Sequence, residues 1–321
     1  MSDLFQPPDM SVWRGRVDDP AEGADALRWH QRVQPLVSGA APPVPAPPGV
    51  ALLGFACDAG VRRNQGRPGA AEGPRTLRAA LSPLAWHQNA PVYDAGDVAC
   101  VGDALEEAQE ELAARVAALL RDGHRPLILG GGHETAWGTF QGISRAHPGA
   151  TIGILNLDTH FDVRTAPHAH SGTPFAQAAE LCHTQGRPFR YLCLGVSEAA
   201  NTAALFSRAD ALGVRCRPDT RMAERHLPDI LAQVETFAAS VDALHLSLDL
   251  DVLSAADMPA VSAPAAMGVA PTVIDEILRA AANSGKVAAA EVVEYCAPQD
   301  ECGRGARLAA RLVWSIAQHW K

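Results

Sequence analysis

Three short stretches of the chain concentrate side chains that hold cations or move protons. The first, Pro126-Leu-Ile-Leu-Gly-Gly-Gly-His-Glu134, places His133 after a glycine turn. The second, Ile154-Leu-Asn-Leu-Asp-Thr-His-Phe-Asp-Val-Arg164, ends in Asp158, His160, Asp162 and Arg164. The third, His245-Leu-Ser-Leu-Asp-Leu-Asp-Val252, supplies Asp249 and Asp251. In extended backbone, residues i, i+2 and i+4 share a side, so Asp158, His160 and Asp162 can converge, as can Asp249 and Asp251. Joined by His133, they make a set of carboxylates and imidazoles whose like charges repel unless cations lie between them. Oxygen-rich donors with a minority of imidazole suit Mn²⁺, while Zn²⁺, Co²⁺, Ni²⁺ and Fe²⁺ fit the same set. Two metals can share these six residues if two aspartates bridge. Taken singly, each stretch has a plainer reading as a turn, a solvated loop or a cap. Their joint occurrence, each directly after an apolar run, favours the metal site.

The elements that must carry these residues follow from the apolar pattern. Runs rich in Val, Leu and Ile at 50–55, 91–98, 126–130, 151–157, 190–195, 214–217, 243–250 and 287–293 predict strands, mostly covered on both faces. Amphipathic stretches at 73–81, 104–121, 134–145, 227–239, 272–282 and 304–319 predict helices between them. The alternation gives an α/β protein, a three-layer α/β/α sandwich with a mainly parallel sheet. Such sheets gather sites at the carboxyl ends of their strands, where all three stretches fall. One organised domain is expected over 50–321. Residues 1–49 form an extension with a short helical stretch at 25–34 and a proline-rich connector at 41–49, which should stay outside the sheet because proline removes amide donors.

Lys plus Arg number 27 against 36 Asp plus Glu, a net charge of −9 without a basic cluster, which argues against nucleic acid or an anionic membrane as partner. The first ten residues lack a basic stretch followed by an apolar run, and no stretch approaches the roughly 18 apolar residues of a membrane span, so a cytoplasmic location is expected. The seven cysteines include no C-x-x-C pair, which points to reduced thiols and away from a cysteine zinc site.

Gly130-Gly131-Gly132-His133, Asp158-Thr159-His160-Phe161-Asp162 and Ser247-Leu248-Asp249-Leu250-Asp251 together resemble the ureohydrolase family, the arginase and agmatinase group. The family pattern is Gly-Gly-x-His, Asp-Ala-His-x-Asp and Ser-x-Asp-x-Asp, and the likeness extends from about Val50 to the C-terminus. It implies an arginase-like fold, a homo-oligomer and two Mn²⁺ ions per chain. One ion would take His133, Asp158, Asp162 and Asp249, and the other Asp158, His160, Asp249 and Asp251. Thr159 in place of the usual alanine leaves every ligand intact.

Within the family, the stretch from Cys57 to Ala70 followed by Gly73-Pro74, and Ser171-Gly-Thr-Pro-Phe175, resemble the formimidoylglutamase branch; agmatinases carry a catalytic histidine where Ser171 stands. The resemblance implies hydrolysis of N-formimidoyl-L-glutamate to L-glutamate and formamide in histidine degradation, with another amidine or guanidino acid as the alternative substrate and a non-enzymatic metal-binding regulator as the alternative role. Arg164 stands where arginases have an asparagine that contacts their substrate's carboxylate. A guanidinium there suits a dicarboxylate and repels cationic arginine or agmatine. Arg62, Arg63 and Arg67 are candidates for the second carboxylate, Arg63 foremost. Asn201 and Ser171 are further candidate substrate contacts, and His170 is a candidate proton shuttle. Glu294 matches the family's glutamate near the amidine or guanidine group, and Asp162 would carry the proton to the leaving nitrogen. Asp300 either matches a family position or caps the last helix.

Overall fold

In the computed structural model, which describes residues 4–36 and 46–321, the apolar runs become strands. In chain order the strands are β1 (Phe5–Gln6), β2 (Gln34–Pro35), β3 (Val50–Ala56), β4 (Val92–Ala99), β5 (Arg125–Leu129), β6 (Ile152–Leu157), β7 (Arg190–Val196), β8 (Arg215–Pro218), β9 (Ala243–Asp249) and β10 (Val287–Val293). The helices are α1 (Ala59–Arg63), α2 (Gly73–Leu81), α3 (Leu105–Arg121), α4 (Thr135–Ala146), α5 (Pro174–Thr184), α6 (Ala203–Ala211), α7 (Leu227–Ala239), α8 (Pro271–Asn283) and α9 (Arg304–His319). One sheet runs β1-β4-β3-β5-β10-β9-β6-β7-β8, with β2 also on β4. Every pairing is parallel except that of β1 with β4.

Helices α2, α7, α8 and α9 pack on one face of the sheet around Leu77, Ile230, Ile277 and Val313. Helices α3, α4, α5 and α6 pack on the other around Leu112, Phe140, Phe175 and Leu205. Both faces are therefore covered, which is why β6 is buried along all six residues and reads as a continuous apolar run rather than an alternating one. The expected three-layer α/β/α sandwich is present. Helices α5 and α6 were not anticipated. The first carries its signal in Thr173-Pro174 and in the buried Phe175, Ala178, Ala179 and Cys182, one apolar stripe. The second buries only Leu205 and Ala209, too short a stripe to read.

Residues 25–34 do not form the expected helical stretch. They form 3₁₀ turns at Pro20–Ala26 and Trp29–Gln31 and then β2. The amides of Trp29 and His30 donate to the carbonyls of Leu84 and Ser82, so this backbone is satisfied by the loop after α2 instead of by its own next turn. Before Val50, strands β1 and β2 join the sheet through β4. Strand β1 lies on β4 at Gly96, whose φ of 79° and missing side chain admit the carbonyl of Gln6, 2.3 Å from where a Cβ would stand. Residues 41–45 of the proline-rich connector lie outside the described residues.

Trp13 is buried, stacks on Trp29 at 6.5 Å and donates from Nε1 to Asp94 at 2.8 Å. The same carboxylate is paired with buried Arg78 at 2.9 Å. Trp13→Ala should therefore destabilise the domain by about 3–5 kcal/mol, as other buried tryptophan truncations do. Urea unfolding checks this, and an unchanged midpoint would show that the segment is attached without supporting the domain.

Candidate metal centre

Strands β5, β10, β9 and β6 are consecutive in the sheet and all parallel, so their carboxyl ends stand side by side. The chain passes from β5 to β6 across two places that β9 and β10 fill later, and this gap is where distant parts of the sequence meet. His133 follows β5, Glu294 follows β10, Asp249 ends β9 and Asp251 follows it, and Asp158, His160 and Asp162 follow β6. The turn into α4 needs glycine: a Cβ on Gly131 would stand 1.7 Å from the carbonyl oxygen of Cys57 at the end of β3. Asp162 and Glu294 adopt left-handed backbone at φ 48° and 67°, a conformation costly for residues with side chains and found where a site demands it.

Two donor groups result: His133, Asp158, Asp162 and Asp249 form one, and Asp158, His160 and Asp251 the other. His133 Nδ1 lies 3.2, 2.9 and 3.0 Å from carboxylate oxygens of Asp158, Asp162 and Asp249. His160 Nδ1 lies 3.0 Å from Asp251 Oδ2 and 3.6 Å from Asp158 Oδ1. Asp158 thus turns Oδ2 toward one group and Oδ1 toward the other, as a bridge must. Asp249 falls in the first group only, although its Oδ1 accepts from the amide of Asp251 at 2.8 Å. Burial, with the charges of Asp251 and Asp158, pushes Asp249 well above the ordinary carboxylate range. Burial would lower His133 and His160, yet the surrounding aspartates raise both. Without cations the cluster retains protons because its carboxylates cannot all ionise together.

The donor chemistry fits divalent metal. His133 Nδ1 is buried with no well-directed hydrogen bond, while its Nε2 is engaged by Ser247 Oγ at 2.9 Å. Ser247 donates in turn to Glu291 Oε1 at 2.8 Å, and Thr139 holds Glu291 Oε2 at 2.6 Å. His245 Nε2 stands 3.0 Å from the same carboxylate, and Ser247, His245 and Glu291 are all fully buried. This chain binds Nε2 and leaves Nδ1 toward the carboxylates, the arrangement that orients a histidine ligand. Asn156 likewise donates to Asp158 Oδ2 at 2.8 Å and is itself anchored to Tyr191. None of these supports was assigned from the sequence, although Asn156 precedes Asp158 by two residues on one strand side and Ser247 sits inside the third motif. Ser247→Ala should weaken Mn²⁺ binding about 10–100-fold, measured by chelator competition, with the folded state intact. Unchanged affinity would make the chain a packing feature only.

Above the cluster, a cavity of about 360 Å³ is lined by His160, Asp162, Asp249, Asp251 and Glu294, with Arg164, Ser171, Ser262 and residues 64–67 around them. Glu294 Oε1 accepts from the amide of His133 at 2.8 Å. Burial and the charge of Glu134 push Glu294 up to about 8, an effect that cations in the cluster would oppose. Ser171 is buried, and its hydroxyl accepts from Asn64 at 3.0 Å.

The structure brings Arg164 and Ser171 to this cavity but not Arg63 or Asn201. Arg63 is committed to Asp103 and Glu106 and to the carbonyl of Ala169, so its charge is already neutralised. Asn201 donates to the carbonyls of Thr159 and Ser197 and accepts from the amide of Phe161, so it braces the loop after β6. His170 lines an adjoining cleft with Arg63 and Arg164 and accepts from the amide of Gly172 at 3.1 Å. Asp300 accepts from the amides of Gly305 and Ala306 and so caps α9.

Fold and centre together define a hydrolase class, and residues 48–318 match the arginase family, to which the chain belongs. Among its relatives, a formimidoylglutamase of Chromobacterium violaceum is 55% identical over 97% of this chain and 98% of its own length. One of Aeromonas hydrophila is 52% identical over 98% of this chain and 99% of its own. Among solved structures, Trypanosoma cruzi formiminoglutamase with Mn²⁺ superposes with a TM-score of 0.78 at 27% identity, covering 87% of this chain and 95% of that one. Among the described residues no helix is long and apolar enough to cross a membrane.

Proposed function

We propose that the chain hydrolyses N-formimidoyl-L-glutamate to L-glutamate and formamide, using two Mn²⁺ ions held by His133, Asp158, His160, Asp162, Asp249 and Asp251. The observation that carries the reading is the convergence of both donor groups beneath a cavity that also presents Glu294 and Arg164. Identity above half to formimidoylglutamases over nearly the whole chain supports the substrate. When bound, the metal pair supplies Lewis acidity and a hydroxide nucleophile near neutral pH.

The protein's own groups do the rest. Arg164 holds a carboxylate of the glutamate portion and orients the amidine. Glu294, fixed through the amide of His133, stabilises the positive charge of the amidine. Asp162 carries the proton from the attacking water to the glutamate nitrogen, so that water adds to the amidine carbon as the carbon–nitrogen bond to glutamate breaks. Ser171 and Asn64, joined by their hydrogen bond, shape the cavity wall. The same reading makes the reaction a step of histidine degradation in the cytoplasm and the enzyme a homo-oligomer, for which size-exclusion chromatography is the direct check.

Arg164→Ala tests the assignment. The KM for N-formimidoyl-L-glutamate should rise about 10–100-fold with little change in kcat, which is the loss of a charge-assisted pair of roughly 1.5–3 kcal/mol. Unchanged kinetics, or efficient hydrolysis of arginine or agmatine by the unaltered protein, would overturn the account of specificity.

A further inference from the structure

Of the three arginines between residues 62 and 67, two are neutralised by the protein. Arg62 pairs with Asp58, and Arg63 pairs with Asp103 and Glu106. Arg67 differs, for its partners are all uncharged. Its Nε donates to the carbonyl of Ser262 at 2.9 Å, one terminal nitrogen to that of Val261 at 2.7 Å, and the other to Gln299 Oε1 at 3.0 Å. Its backbone amide donates to Ser262 Oγ at 2.8 Å. A guanidinium has five N–H donors, so two remain. The exposed group is held in place with no carboxylate partner among the described residues, and Arg67 lines the cavity over the metal cluster.

The backbone beside it is also built for this placement. Gln65 takes φ 61°, and a Cβ on Gly66 would stand 2.6 Å from Ser262 Oγ. The loop after α1 is thereby pressed against the loop after β9, and Arg67 spans the join. Arg164, on the loop after β6, is the other arginine of the cavity and has no carboxylate partner among the described residues. Two divalent cations would balance the four aspartates of the cluster. With them bound, Arg67 and Arg164 are the two guanidiniums of the cavity, against the one remaining carboxylate of Glu294.

We propose that Arg67 is a specificity-determining residue that holds the second carboxylate of the substrate, so that the pocket selects an amidine bearing two carboxylates, one taken by Arg67 and one by Arg164. This rests on the function proposed above.

The test uses Mn²⁺-loaded protein and three substrates: N-formimidoyl-L-glutamate, N-formimidoyl-γ-aminobutyrate, which lacks the α-carboxylate, and N-formimidoyl-L-norvaline, which lacks the side-chain carboxylate. Arg67→Gln removes the charge and keeps a donor, whereas Arg67→Lys keeps the charge. Arg67→Gln should raise the KM for the dicarboxylate about 10–100-fold with kcat within about threefold, and should leave the KM for one of the two monocarboxylates within about threefold. Arg67→Lys should retain the preference for the dicarboxylate to within about tenfold of the unaltered protein. An equal loss on all three substrates in both variants, or no change in KM, would reduce Arg67 to a loop clamp and overturn the assignment. Failure of the unaltered protein to turn over any of the three would refute the functional reading and this assignment with it; activity with substrate-independent losses would refute the assignment alone.

Discussion

Asp249→Ala is expected to empty the metal centre and abolish turnover. Its Oδ2 faces His133 Nδ1 at 3.0 Å while its Oδ1 holds the amide of Asp251, so one truncation disturbs both donor groups. Metal analysis after loading should fall from about two Mn²⁺ per chain to below about one, because the remaining donors no longer close either site. The metal pair supplies several kcal/mol of charge stabilisation. Its loss should lower kcat/KM by about a thousandfold or more. The variant should still fold, since removing a carboxylate from a crowded acidic cluster relieves repulsion in the metal-free protein. Two tightly held ions in Asp249→Ala would contradict its part in holding the centre.

The second large effect concerns Glu294. Glu294→Gln keeps an acceptor for the amide of His133 and removes the charge beside the reacting amidine. The expected result is a fall in kcat of about 10²–10³-fold, the usual consequence of losing one preorganised electrostatic partner, with Mn²⁺ content unchanged. If metal were lost in parallel with activity, Glu294 would be a support for the His133 turn and not a partner of the substrate. The left-handed φ of 67° at this residue is consistent with a side chain placed for chemistry at a conformational cost.

The six metal-ligand candidates were legible because each closely follows an apolar run that can only be a buried strand; extended alternation is not what gathers them, since Asp162 is left-handed and Asp251 lies in a 3₁₀ turn. The parallel order β5-β10-β9-β6, which brings them together, is a property of the whole sheet and of no single motif. Supports were harder to see. Glu291 reads as one more residue of β10, and only the register that sets it opposite Ser247 reveals the chain to His133. The arginines show the limit most clearly. Arg63 ends α1 and Arg67 stands in the loop after it, and which of them meets a carboxylate from α3 and which turns to the cavity depends on the path of α1 and on the strained turn at Gln65. Asn201 was misleading for a related reason, since an amide that satisfies three backbone groups in the loops after β6 and β7 looks, in sequence, like an amide free to bind a ligand. At the N-terminus, weak patterning concealed an edge strand and two buried tryptophans whose contacts come from elsewhere in the chain.

The most direct measurement of the central claim is release of formamide and glutamate from N-formimidoyl-L-glutamate by chelator-stripped protein, before and after Mn²⁺ is restored, with arginine, agmatine and guanidino acids alongside. The account predicts silence without metal and, on reloading, stoichiometric release of both products from the formimidoyl substrate alone. Metal-dependent turnover of another amidine with none of this one would keep the centre and overturn the substrate, and turnover by the stripped protein would contradict the account at its root.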